Sequence, residues 1–133
     1  MRLLGVDARA VPQAWPVVRP LIEKALEHGG GKWGLHDVLA SLLDGSRQLW
    51  TVDDGKPIAA VVTEIRVYPT GAKAAVVFLA AGRRDADWLD WLETIKAWGR
   101  AGGCKWIELE GRRGWQRALP DWSLDRIVMS KEL

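Results

Sequence analysis

With 133 residues, 48% of them hydrophobic and 27% charged, the chain has an ordinary globular composition, which excludes a disordered, collagenous or low-complexity polypeptide and leaves room for one domain, 1–133. Nineteen basic against seventeen acidic residues give a net charge of +2, too small to mark a nucleic-acid-binding protein, and the single cysteine excludes a disulfide framework or a cysteine-based zinc cluster. Nine residues are Trp, against one Phe and one Tyr, so the composition asks whether these indoles are core or contact surface.

A compact chain of this mass exposes roughly 7,000 Å² when folded against roughly 21,500 Å² unfolded, enough burial for a core without covalent staples. The longest apolar run, Ala74 to Ala81, is far below the roughly 20 residues that span a membrane, and the first ten residues lack the apolar stretch of a secretory leader. The expectation is a soluble, cytoplasmic protein with no membrane partner.

In chain order, Arg2 to Val6 reads as a short strand. Pro12 and Pro16 suit the start of a helix whose apolar face is Val18, Leu21, Ile22, Ala25 and Leu26, with Pro20 kinking it or marking its true start and Gly29-Gly30-Gly31 ending it. Leu35, Val38, Leu39 and Leu42 follow at helical spacing, with Asp37 in the first turn and Gly45 as the stop. Gln48 to Val52 reads as a strand, Asp53-Asp54-Gly55-Lys56 as a tight turn, and Pro57 to Tyr68 as a long β-branched strand. After Pro69-Thr70-Gly71, Lys73 to Ala81 is almost continuously apolar, the pattern of a strand covered on both faces.

Beyond Gly82, Asp85 or Asp87 can cap a helix with the stripe Trp88, Trp91, Leu92, Ile95 and Trp98, ended by Gly102-Gly103. A helix between two strands implies a crossover, so Lys105 to Glu110 is expected to run parallel to the strand before it. A short helix, Gly114 to Leu119, ends at Pro120, and Leu124 to Ser130 reads as a closing strand.

This order (β, α, α, β, β, β, α, β, α, β) is similar to the GNAT fold of acyl-CoA-dependent N-acyltransferases. The blocks Arg47-Gln48-Leu49-Trp50, Leu79-Ala80-Ala81-Gly82 and Glu110-Gly111-Arg112-Arg113-Gly114-Trp115, with the closing Met129-Ser130-Lys131-Glu132-Leu133, resemble a branch of small GNAT-like proteins encoded by tailed phages and prophages. The resemblance implies an α+β, three-layer fold: a mixed, mostly antiparallel sheet of six to seven strands flanked by about four helices. It also implies an acetyl-CoA or other acyl-CoA cofactor, held by the backbone of Phe78, Leu79 and Ala80 where two strands splay apart. The pyrophosphate would rest at the turn Gly82, Arg83 and Arg84, by the start of the following helix.

Two features depart from the family pattern. The pyrophosphate turn normally carries small residues, and here Asp85 and Asp87 place negative charge where an anion should sit. The candidate general bases are Glu64 and either Glu108 or Glu110, of which Glu110 lies nearest the strand end that should face the cleft, but no Tyr follows the penultimate strand to serve as general acid, help worth roughly 10²- to 10⁴-fold. Glu64 has Arg66 on its own face of the strand, and Glu110 has Arg112, Arg113 and Arg117 near in sequence, so each has an ion-paired structural reading beside the catalytic one.

In such a fold the loop before the second helix borders the acceptor site, which makes Trp33 and His36 candidate substrate contacts. No metal-ligand spacing is present around His28 or His36. Two functional readings follow from the resemblance. One is a phage or prophage GNAT-like protein with a degenerate acyl-CoA site, non-catalytic or weakly catalytic, acting on a phage or host protein partner in the host cytoplasm or the virion. The other is an acetyl-CoA-dependent N-acyltransferase acting on a small-molecule or protein amine. Trp50 and Trp106 fall on strands, Trp88, Trp91 and Trp98 on one helix stripe, and Trp115 and Trp122 near core positions, which leaves Trp15 and Trp33 as contact residues.

Overall fold

The computed structural model describes residues 2–29, 31–82, 87–111 and 114–133. The elements are β1 (Leu4–Val6), a 3-10 turn at Ala8–Ala10, α1 (Val11–Leu26), a second 3-10 turn at Glu27–Gly29, and α2 (Leu35–Leu43). They continue as β2 (Gln48–Asp53), β3 (Pro57–Val67), β4 (Lys73–Gly82), α3 (Trp88–Ala101), β5 (Trp106–Leu109) and α4 (Gly114–Ala118). The strands form one sheet in the order β1-β2-β3-β4-β5, antiparallel except for the parallel β4/β5 pair that α3 connects.

The mixed α+β architecture with four helices is the expected one, but the sheet has five strands among the described residues, not six or seven. Residues 124–130 form no strand, and every residue from 123 to 133 is exposed. A β-branched run becomes a strand only where an edge hydrogen-bonds its backbone. Here the segment meets β5 through a side chain, Arg126, whose Nη2 lies 3.1 Å from Glu108 Oε2.

The first helix also differs from expectation, since α1 begins at Val11 and runs through both Pro16 and Pro20. Pro12, Pro16 and Pro20 are spaced by four and lie on one exposed stripe. The carbonyls that lose their partners, on residues 12 and 16, therefore belong to the face that water can reach. The opposite face buries Val11, Val18 and Ile22. At the start of α2 the Asp37 carboxylate accepts the Gly34 N–H at 2.9 Å, satisfying a donor just ahead of the helix.

Two cores lie on opposite faces of the sheet. Under α1 and α2, Val18, Ile22, Val38 and Leu42 pack on Leu49, Ala60 and Val62. Under α3, Trp91, Leu92 and Ile95 pack on Trp50, Val52, Val61 and Val77. Each fully buried Ile or Leu of this kind contributes about 1.5–3 kcal/mol. α3 approaches β4 closely because Gly99 sits over Ala75, where a Cβ would come within 2.9 Å of the Ala75 Cβ.

Most indoles are core. Trp50 and Trp91 are buried, and Trp88, Trp98, Trp115 and Trp122 pack half-buried against the α3-side core. Trp50 donates its indole N–H to the buried Thr63 hydroxyl at 2.9 Å. Two placements depart from the sequence reading: Trp15 is half-buried against the α1-side core rather than a free contact residue, and Trp106 is exposed. Trp106 points away from the α3-side core because Ile107 and Leu109 take the inward positions of the short β5.

Candidate functional site

The central event in the sheet is at Val77 and Phe78. In the β3/β4 pair Val62 faces Leu79 and Thr63 faces Val77, so Phe78 is the extra residue of a β-bulge. The β4/β5 ladder runs from Ala74↔Trp106 to Val77↔Leu109 and closes with the Glu110 N–H donated to the Val77 carbonyl at 3.2 Å. Pairing with β3 continues five residues further, to Gly82 opposite Ala59. Among the described residues, the stretch 78–82 therefore has a strand neighbour on one side only. Phe78, Leu79, Ala80 and Gly82 all fall in it, whereas Arg83 and Arg84 lie outside the described residues.

Phe78 at the bulge meets Trp33, from the loop before α2, edge to face with ring centroids 5.1 Å apart. The Arg47 guanidinium stacks against both rings, 4.1 Å from the Phe78 centroid and 4.9 Å from that of Trp33. Arg47 Nε is buried, has no hydrogen-bond partner, and lies 3.6 Å from Glu64 Oε2. Trp33 and Phe78, predicted for different roles, are thus brought together. His36 is exposed in the first turn of α2 and is not part of this group.

Glu64 and Glu110 also come together, through a residue between them. Arg66 Nη2 lies 2.8 Å from Glu110 Oε1 and 3.1 Å from Glu64 Oε1, and Arg66 Nη1 lies 3.9 Å from Glu108 Oε2. Glu110 is thus bound by Arg66, 44 residues away in sequence; Arg112 and Arg113, noted near it in sequence, lie outside the described residues. The hydrogen bond to Glu110 leads the effects that push the Arg66 guanidinium still further above the ordinary arginine value, so it stays charged. Tyr68 donates its hydroxyl to Glu108 Oε1 at 2.5 Å, and Arg126 binds Glu108 Oε2. Arg126 is likewise raised, chiefly by Tyr68 and then by Glu108.

This shelf follows from strand alternation: Glu64 and Arg66 are two apart on β3, Glu108 faces Val76, and Glu110 follows the end of β5. It carries three carboxylates against Arg47, Arg66 and Arg126, so its charges balance. Tyr68 does not supply the missing acid at the strand divergence. Val67 pairs with Lys73, five residues before Phe78 along β4, a separation of roughly 17 Å at the usual strand rise.

The other face of the divergence is walled by aromatic rings. Ala80, Leu109, Trp88 and Trp115 line a cavity of about 10 Å³ with parts of the α3-side core. Trp88 meets Trp115 edge to face at 5.5 Å and Trp91 at 5.0 Å. Trp115 lies so close over Gly111 that a Cβ there would come within 2.7 Å of the indole Cδ1. Asp87 occupies the residue before α3 with no side-chain capping bond.

Arg47, Arg66, Tyr68 and Arg126 were not among the predicted site residues, although Arg47 opens one of the blocks that carry the resemblance and Arg66 stood beside Glu64 on its strand. Only Arg66 carried a signal of its contacts, its i+2 spacing from Glu64 on one strand face; the other three are placed by contacts between distant segments.

No protein-family model matches this sequence, and comparison with curated proteins returns no match. Solved structures share the fold. One is a probable acetyltransferase, 10% identical with TM-score 0.73 over 100% of this chain and 97% of that one. Another is the ribosomal-protein-alanine N-acetyltransferase from Brucella melitensis biovar Abortus 2308, 10% identical with TM-score 0.68 over 100% of both chains. A third is aminoglycoside N-acetyltransferase AAC(6')-Iy in complex with CoA, 12% identical with TM-score 0.67 over 98% of this chain and 93% of that one. The chain therefore has the acetyltransferase fold, with the α+β order that the resemblance implied. Among the described residues, no helix is long and apolar enough to cross a membrane.

Proposed function

We propose that this chain is a GNAT-like protein of the phage and prophage type whose acyl-CoA site is degenerate. In this reading it is non-catalytic or weakly catalytic and acts through a phage or host protein partner, in the host cytoplasm or the virion. The observation that carries the reading is the Arg66 clamp. Both candidate bases, Glu64 and Glu110, are bound by one guanidinium beside the strand divergence. To take a proton from an amine, the half-buried Glu64 would have to give up an ion pair, a costly exchange, and the exposed Glu110 its bond to the same guanidinium. The absence of a Tyr at the divergence and the carboxylate of Asp87 ahead of α3 support the same conclusion.

A specific observation favours the second reading, an acetyl-CoA-dependent N-acyltransferase. The one-sided pairing of residues 78–82 suits an extended, amide-bearing arm, since an unpaired strand edge presents a row of backbone donors and acceptors. Phe78, Leu79 and Ala80 would hold the arm of an acyl-CoA, and Gly82, Arg83 and Arg84 its phosphates. Bound there, the thioester would supply an acyl carbon open to attack by an amine. Trp33, Phe78 and Arg47 would border the amine-bearing acceptor, with Glu110 or Glu64 as base.

Calorimetry with acetyl-CoA separates the two. The degenerate reading expects no saturable binding up to millimolar ligand and no transfer to a panel of amines. Micromolar binding abolished in the Arg83→Glu, Arg84→Glu double variant, with turnover lost in Glu110→Gln, would establish the enzyme instead.

A further inference from the structure

We propose that the chain has a second binding site, outside the cleft, for a small multivalent oxyanion, a phosphate or a polycarboxylate, in the cavity where α3 ends and β5 begins. That cavity measures about 180 Å³, and its walls include Ala75, Lys96, Gly99, Arg100, Cys104 and Lys105. One water needs only ~10–15 Å³, so a small molecule fits here, whereas the ring-walled cavity of about 10 Å³ beside the divergence has room for no more than a water. Ala75 lies seven residues before Gly82 on β4, roughly 23 Å at the usual strand rise, so the site is separate from the phosphate turn of the cleft.

The backbone shapes this corner and leaves its cations unused. Gly103, at a φ of +80°, turns the chain after α3 so that the Cys104 N–H donates to the Gly99 carbonyl at 2.8 Å. The Gly102 N–H donates to the Trp98 carbonyl at 3.1 Å and the Gly103 N–H to the Arg100 carbonyl at 3.0 Å. Basic side chains in the last turn of a helix commonly answer its free carbonyls. Here the backbone has answered them.

The cations instead converge on the cavity from two elements. Lys96 and Arg100 are four apart on one face of α3, and Lys105 comes from the chain entering β5, its Nζ 4.9 Å from the Trp106 ring centroid. Among the described residues, neither Arg100 nor Lys105 has an ion-pair partner, and Lys96 holds the exposed Glu93 at 2.6 Å. Lys73 adds a positive charge near the Cys104 thiol, where it opposes the effect of burial. Like charges at i, i+4 repel and destabilise a helix, and an anion with several charged oxygens turns that repulsion into attraction. A guanidinium fork and ammonium groups would hold it through charge-assisted hydrogen bonds.

Calorimetry on the full chain at low ionic strength, with pyrophosphate and citrate titrated separately, tests the site. Saturable binding of at least one of them is expected, with a dissociation constant below about 1 mM. It should weaken at least tenfold in Arg100→Gln, Lys105→Gln and be unchanged in the cleft variant Arg83→Glu, Arg84→Glu. Binding of pyrophosphate alone assigns the site to phosphates, and of citrate alone to carboxylates. No saturable binding of either up to about 10 mM overturns the proposal, as does binding that the cleft variant removes or that Arg100→Gln, Lys105→Gln leaves intact. Cys104, the single cysteine of the chain, reports the position in the wild type. Its alkylation by iodoacetamide should slow at least threefold when the bound anion saturates the protein, and an unchanged rate overturns the placement.

Discussion

Arg66 Nη2 stands 2.8 Å from Glu110 Oε1 and so ties the middle of the sheet to the point where β4 and β5 part. The same guanidinium holds Glu64, and through Nη1 it reaches Glu108. Replacing it with Leu leaves three carboxylates facing one another across β3 and β5, with Arg47 and Arg126 as the remaining cations. Discounted for partial exposure, the expected loss in Arg66→Leu is about 1–2 kcal/mol at pH 7. Urea unfolding would measure it.

Thr63 is fully buried and its hydroxyl accepts the Trp50 indole N–H. Thr63→Val keeps the shape and removes the acceptor, leaving a buried donor unsatisfied. The expected cost is about 1–3 kcal/mol. Thr63→Ser, which restores an acceptor, should recover part of it, whereas equal stability of the Val and Ser variants would assign the loss to packing.

Gly99→Ala sets two effects against each other. Ala is the better helix former by about 1 kcal/mol, but its methyl would sit 2.9 Å from the Ala75 Cβ and lift α3 from β4. Overpacking of a close helix-to-sheet contact costs about 1–3 kcal/mol, so the variant should be net destabilised. The compensating Gly99→Ala, Ala75→Gly pair should be less destabilised than the single variant, a coupling that a double-mutant cycle would report.

The acid branch of the stability profile has assignable contributors. Lys96 hydrogen-bonds Glu93 at 2.6 Å and lowers its carboxyl below the ordinary value of 4.5. Arg9 does the same for Asp7, and the hydroxyl and backbone N–H of Ser46 for Asp44, both below 3.8. A folded-state value below the unfolded one means stability that is present above the unfolded value and lost as pH falls through the folded one. Unfolding followed from pH 6 to pH 2 should show stability declining below about pH 4.5, and less steeply for Glu93→Gln.

On the basic side, burial leads the effects on the Cys104 thiol and pushes it above its ordinary value of 9.0, with Lys73 opposing. Its alkylation at pH 8 should be slower than that of a free thiol. The stability attached to it is complete below about pH 9 and lost as pH rises further, a decline that Cys104→Ser should remove.

The sequence by itself determined the elements and their order. Apolar periods of about 3.6 in α1, α2 and α3 and the β-branched runs of β2, β3 and β4 are local properties, and the helix between β4 and β5 compels a parallel pair whatever else the fold does. The likeness in element order was therefore readable before any contact was known. Tertiary structure decided where pairing stops. Leu124 to Ser130 has the composition of a strand, yet a strand exists only when a neighbouring edge accepts its backbone, and no local pattern carries that information. It also decided the chemistry of the shelf. The sequence offers Glu64 a partner in Arg66 and Glu110 partners among its neighbouring arginines, but only the strand register brings Arg66 to both acids, because ion pairing acts over a few ångströms in space across 44 residues of chain.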